Sequence, residues 1–202
     1  MSKKQHITHK KRHRLTIALL AVLFGISLFI TTSAYIQNSK QAKILYDTLI
    51  ATDAAGGDVE SALRDLRVYI YNHMNTTIGS PTGVKPPIQL KGTYDRLVAA
   101  EQARVKQVND DLYNKAQKEC ERLIPDGLSG RGRIPCITEY VNTNAIKEQT
   151  IPEGLYKYDF VSPIWSPDTA GIGIIVTTVL GIALLYNVIA YRRLLFHIRI
   201  SS

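Results

Sequence analysis

"LTIALLAVLFGISLFITTSAYI", Leu15 to Ile36, holds no charged side chain, and neither does "AGIGIIVTTVLGIALLYNVIAY", Ala170 to Tyr191. Each run is 22 residues long. A helix rises 1.5 Å per residue and the hydrocarbon core of a bilayer is about 30 Å thick, so about 20 apolar residues cross it. Both runs meet that length. Burying two such helices inside a soluble protein needs a larger core than a chain of 202 residues builds around them. The expectation is an all-α membrane protein with transmembrane helices at 15–36 and 170–191.

Charge sets the expected orientation. Lys3, Lys4, Lys10, Lys11, Arg12 and Arg14 precede the first run, and Arg192, Arg193 and Arg199 follow the second, with no acid at either end. All 17 Asp and Glu lie between the runs, with 16 of the 25 Lys and Arg. The net charge of +8 therefore belongs to the two ends. Positive flanks stay cytoplasmic, which places the tails 1–14 and 192–202 inside the cell membrane and residues 37–169 outside it. Contact of the tails with anionic lipid accounts for the basic balance without a nucleic-acid partner. The opening "KKRHR", an apolar run and "TSA" with Thr32 and Ala34 also fit a secretory signal. Leu15 to Ile30 is long for the apolar part of one, so a retained span is preferred.

An exported segment sits where disulfides persist. Cys120 and Cys136 are the two cysteines, at the edges of "IPDGLSGRGRIP". A bond between them closes a loop of roughly 15 residues, worth about 3 kcal/mol by chain entropy. Their spacing is not Cys-x-x-Cys, and no second pair completes a zinc set. The segment reads as a helical hairpin or small bundle with Pro/Gly loops at 79–92 and 124–135. Ala42, Leu45 and Leu49 continue the first helix, "AAGGD" at 54–58 ends it, and Asp58 is placed to cap the next. Val59, Leu63, Leu66 and Ile70 form that helix's seam. The longest helix carries Val98, Val105, Val108, Leu112, Ala116, Cys120 and Leu123 on its apolar face, and Pro135 suits the first turn of a shorter one. "GLYKYDF" alternates as a strand does. Trp165, Tyr156 and Tyr158 are the expected interfacial anchors, having both an apolar ring and a polar tip.

Chemistry is sparse. His6, His9 and His13 share a helical face, but the surrounding lysines and arginines repel a divalent cation, so no metal is expected. His73 has no acid, Cys or second His near it in sequence, and "NTT" at Asn75 is a formal glycosylation sequon. No phosphate loop, nucleophile elbow or zinc motif occurs. Asp110 and Asp111 are neighbours on a helix and point apart. Neither an enzyme nor a cofactor is expected. In the second span Gly173, Thr177 and Gly181 form a small-residue stripe, echoed by Ala21 and Gly25 in the first. Such a stripe serves packing of the two spans or association with another chain. Asn187 is a polar group available to a neighbouring helix.

The layout of tail, span, helical exported domain and span is similar to the sensor halves of chemoreceptors and membrane histidine kinases, without the long signalling portion that follows their second span. "HMNT" (73–76), "PPIQLKGTYDR" (86–96), the cysteine pair and "SPIWSPD" (162–168) resemble uncharacterised two-span membrane proteins of small-genome candidate-phylum bacteria. That resemblance implies no activity. The functional expectation is an interaction or sensing module that couples to a protein partner, or to a second copy of the chain, through its spans. The alternative is a structural or accessory subunit of an envelope, secretion or adhesion complex.

Overall fold

The structure, a computed structural model, describes residues 3–79, 85–125 and 132–200, with side chains from residue 11 to residue 196 of those ranges. The fold is all-α. Its helices are α1 (Lys3–Ala55), α2 (Val59–Asn72), α3 (Lys91–Leu123), α4 (Arg133–Asn144) and α5 (Thr169–Ile200), with two short strands, β1 (Ile88–Gln89) and β2 (Lys157–Tyr158). Two stretches, Lys11–Ala55 and Thr169–Phe196, are long and apolar enough to cross a membrane. The chain forms two compact units, residues 1–51, 58–84 and 159–202 in one and residues 52–57 and 85–158 in the other.

In the first unit α1 buries Thr31, Asn38, Ala42 and Leu49, at steps of seven, four and seven, which keeps them on one face. Asp58 caps α2, its carboxylate accepting from Ser61 N at 3.0 Å. Leu63, Leu66 and Ile70 are buried as the seam requires. Beyond α2, Asn75 adopts a left-handed φ of 57° and its amide donates to Tyr35 O at 3.1 Å. Thr76 Oγ1 donates to Ile70 O and His73 O, satisfying carbonyls that the end of α2 leaves open. Met74 O accepts from Asn38 Nδ2 at 3.1 Å. These bonds bring the end of α2 back to residues 35–38 of α1, so α2 runs antiparallel along it.

In the second unit α3 and α4 pack as a hairpin closed by the Cys120–Cys136 disulfide. Cys120 and Ala116 are fully buried on α3. Pro135 is the third residue of α4, where a missing N–H costs nothing. The expected apolar face of α3 shifts at one position. Val108 is exposed and the stripe passes instead through Asn109, one residue on. Asn109 exchanges two hydrogen bonds with the backbone of Ile146, donating Nδ2 to its carbonyl and accepting its N–H, both at 3.1 Å. This half of α3 is covered by an extended segment, whose backbone needs partners that a valine cannot supply. Leu123, the last residue of α3, is exposed as well.

The segment read as loop 79–92 is more ordered than its prolines suggest. β1 pairs antiparallel with β2, Ile88 opposite Tyr158 and Gln89 opposite Lys157, and Leu90 N donates to Tyr156 O at 2.8 Å. Of the strand-like rhythm around Tyr156–Phe160, only Lys157–Tyr158 forms a strand, after a 3₁₀ turn at Glu153–Leu155. Helix α3 starts at Lys91, inside the expected loop. Its cap residue Leu90 offers no side-chain bond, and the open amides are met by a residue remote in sequence. Asp53 accepts from Gly92 N and Thr93 N, both at 2.7 Å, and from Thr93 Oγ1 and Arg96 Nη2. Its side chain is 3% exposed. Burial raises the Asp53 pKa, but the bonds from Thr93, Gly92 and Arg96 outweigh it and hold the carboxyl below its ordinary value.

The same aspartate ends α1. Gly56 N and Gly57 N donate to Asp53 O and Thr52 O, with Gly56 at φ +68°, closing the helix in a Schellman turn. Gly92 approaches this turn so closely that a Cβ on it would lie 2.4 Å from Asp53 O. Asp53→Ala is therefore expected to cost about 2 kcal/mol, the range of a lost cap with charged hydrogen bonds. Gly92→Ala should destabilise also, whereas Gly154→Ala, with nothing within 4 Å of the added carbon, should be near neutral. Thermal unfolding followed by helical circular dichroism checks all three. Equal melting of the two glycine variants would remove the close approach from the account.

Candidate functional site

The densest cluster of polar contacts in the first unit lies just before α5. Asp168 caps that helix, its Oδ1 accepting from Gly171 N at 2.9 Å and from Ser166 Oγ at 2.8 Å. Its Oδ2 accepts from Asn38 Nδ2 at 2.6 Å. Ser166 Oγ in turn accepts from Met74 N at 2.9 Å. One carboxylate thus joins α1, the end of α2 and the start of α5. Thr77 Oγ1 and Ser162 Oγ lie 2.8 Å apart beside it. Trp165 Nε1 donates to Gly171 O at 3.1 Å. Gly171 allows no side chain, since a Cβ there would fall 1.8 Å from Ser166 O. "HMNT" and "SPIWSPD", some ninety residues apart in sequence, are the two halves of this cluster.

A cavity of 510 Å³ opens beside the cluster, lined among others by Phe29, Ser33, Gln37, Tyr69, His73 and Asp168. The Tyr69 and His73 rings stack at 4.1 Å, and His73 Nδ1 lies 2.9 Å from Tyr69 O. Burial, with the charge of Asp168, raises the Tyr69 pKa. Burial also pushes the Asp168 carboxyl up. The hydrogen bonds from Gly171, Asn38 and Ser166, with a smaller attraction from His73, outweigh it and hold the pKa below 3.8. A second, larger recess of 730 Å³ runs along α1 and α5 past Leu23, Ile26, Ile172 and Val176, and it too reaches Asp168.

Below the cluster the stripe on α5 faces α1. A Cβ on Gly173 would lie 2.4 Å from Thr31 Oγ1, and one on Gly181 would lie 3.2 Å from the Phe24 ring. Thr177 is buried, with its hydroxyl 2.7 Å from Ser27 Oγ and 3.1 Å from Thr31 Oγ1. The stripe is thus used within the chain. Gly25 has nothing within 4 Å and Ala21 is exposed. Asn187 Nδ2 donates to Ala183 O of its own helix at 2.9 Å. Of the expected anchors, Trp165 is half-exposed in the segment leading into α5. Tyr158 lies in β2, and the Tyr156 ring packs on Tyr94 at 4.8 Å, both in the second unit.

Among the described residues no group of three His, Cys, Asp or Glu side chains is placed to hold a metal ion. The side chains of His6 and His9 lie outside the described residues, as do loop positions 80–84 and 126–131. His73, which has no acid near it in sequence, lines the same cavity as Asp168. Asn38, Asp53, Ser166 and Asp168 were not singled out from the sequence. Asp168 had a readable signal, an Asp three residues ahead of Gly171 at the head of an apolar run. Comparison with protein-family models, curated proteins and solved structures found no match.

Two outcomes are expected. With Ser27→Cys and Thr177→Cys combined, mild oxidation in membranes should protect both new thiols from maleimide, whereas Gly25→Cys with Thr177→Cys should leave them reactive. Acid should open the cluster at low pH. A carboxyl with a depressed folded pKa contributes fully above its unfolded value, and the contribution is lost as pH falls through the folded one. Emission from Trp165, the chain's one tryptophan, should therefore change below pH 3.8 and stay constant from there to neutrality. A transition between about pH 5 and neutrality would remove Asp168 from control of the cluster.

Proposed function

We propose that the chain is a two-span membrane protein, with both termini cytoplasmic, whose segment 37–169 lies outside the cell membrane as an interaction or sensing module. The observation that carries this reading is the charge layout. Every Asp and Glu lies between the two uncharged runs, 15–36 and 170–191, and both flanks are basic. Exposure supports it. Leu15, Leu19, Phe29, Val179, Ile182 and Leu185 lie at the surface of α1 and α5, which suits a lipid solvent and is unfavourable in water. The small-residue contact between the two helices is the kind that drives association in lipid. Partners then couple to the spans through the cluster at Asp168, because α1, α2 and α5 all end or pass there. The module acts by binding, without a reaction of its own.

Thiol labelling in intact cells tests the arrangement. With a membrane-impermeant maleimide, Cys120 and Cys136 should react only after a reductant is added. Reaction only after permeabilisation, without reductant, would place the disulfide hairpin in the cytoplasm and invert the topology. A sensing role further requires that crosslinking between Ser27→Cys and Thr177→Cys change when a ligand binds. A yield indifferent to every small molecule, together with copurification of a fixed set of proteins, would favour the accessory-subunit reading.

A further inference from the structure

The two cavities beside Asp168 share part of their wall. Both are lined by Ile30, Asp168 and Thr169, so the polar cavity and the apolar recess adjoin at that point. The two ends differ in chemistry. Leu23, Ile26, Ile172 and Val176 line the recess, whereas Ser33, Gln37, Tyr69 and His73 line the polar cavity. An occupant that satisfies both ends is amphiphilic, with an apolar chain and a polar head.

The charge at the head end is also specified. Asp168 supplies the carboxylate, and neither cavity is lined by a lysine or an arginine. An anionic head would meet a like charge there, and a cationic one an opposite charge. A carboxylate offers about four acceptor positions, of which Asn38, Ser166 and Gly171 use three. One remains on Oδ2 for an incoming N–H donor. His73 adds a second acceptor. Its Nδ1 faces the Tyr69 carbonyl and so carries the ring proton, leaving the Nε2 lone pair free in the neutral ring. The Tyr69 side chain, stacked on His73, lines the same cavity.

We propose that the two cavities act as one trough that binds one membrane lipid with an ammonium-bearing headgroup, the amine against Asp168 and an acyl chain along the α1–α5 recess. The site rests on the membrane reading above, and the first arm of the test separates the two. Alkaline carbonate extraction of membranes from expressing cells should leave the full chain in the pellet. Release into the supernatant would sink the membrane reading itself.

Protein retained in the pellet is then purified in mild detergent, incubated with equal amounts of phosphatidylethanolamine and phosphatidylglycerol, and examined by native mass spectrometry. The expected result is one retained lipid, with the amine-headed species favoured about tenfold. Asp168→Asn keeps a side chain able to cap α5 and should reduce that preference to near parity. Ser33→Trp fills the polar cavity without touching the cap and should abolish retention of the single lipid. Equal retention of both lipids by the unmodified chain, or a preference for the anionic one, would overturn the proposal. So would an undiminished preference in a folded Asp168→Asn variant, or full retention in Ser33→Trp.

Discussion

The first amides of a helix have no partner inside it, and for α3 and α5 an aspartate meets that need while also tying in another segment. Asp168 caps the helix it precedes and at the same time takes a hydrogen bond from Asn38 of α1. Asp53 caps α3 from the last turn of α1, across thirty-nine residues of sequence. In each case a local requirement of helix geometry is satisfied by a group that also joins separate segments. Removing either carboxylate would leave amides unpaired, at Gly171 a buried one, which costs more than the bond itself contributes. The positions of α3 and α5 within their own units therefore follow from a backbone constraint more than from apolar packing.

Apolar packing is modest along the α1–α5 contact. Gly173 and Gly181 remove side chains so that Thr31 and Phe24 can approach, and the centre of the contact is a set of three hydroxyls. Close backbone approach with hydrogen bonding, the kind of contact that holds helices together in lipid, takes the place of leucine packing here. Large apolar residues of both helices, Leu19, Phe29 and Ile182 among them, are exposed.

Much of this was legible in the chain itself. The lengths of the two apolar runs, the end of α1 at two glycines, the Asp58 cap, the α2 seam and the cysteine pairing all depend on local pattern or on simple counting. What periodicity could not provide was the identity of polar groups that face inward. Asn38 falls on the same face as Ala42 and Leu49, and Asn109 on the same face as Val105 and Ala116, yet an amide in such a register reads as a surface residue unless its partner is known. Their partners, Asp168 and the Ile146 backbone, lie 130 and 37 residues away. The ordering of 88–92 was hidden for the same reason. Prolines and a glycine mark a loop locally, while Asp53 and the strand at 157–158 give it structure from a distance.

The hydroxyl cluster at Ser27, Thr31 and Thr177 differs from the aspartate contacts in one respect. Either oxygen of each Thr177 pair is able to act as the donor, whereas Asp168 only accepts and the Asn38 amide only donates to it. Thr31 Oγ1 also donates to Ser27 O at 2.8 Å, which leaves Thr177 to donate to Thr31 and Ser27 to donate to Thr177. The two helices consequently meet at a contact with one consistent set of donors and acceptors and no net charge. The contact between α1 and α5 is thus neutral and directional along its length, and a charged side chain enters only at the head of α5, where Asp168 takes the Asn38 amide.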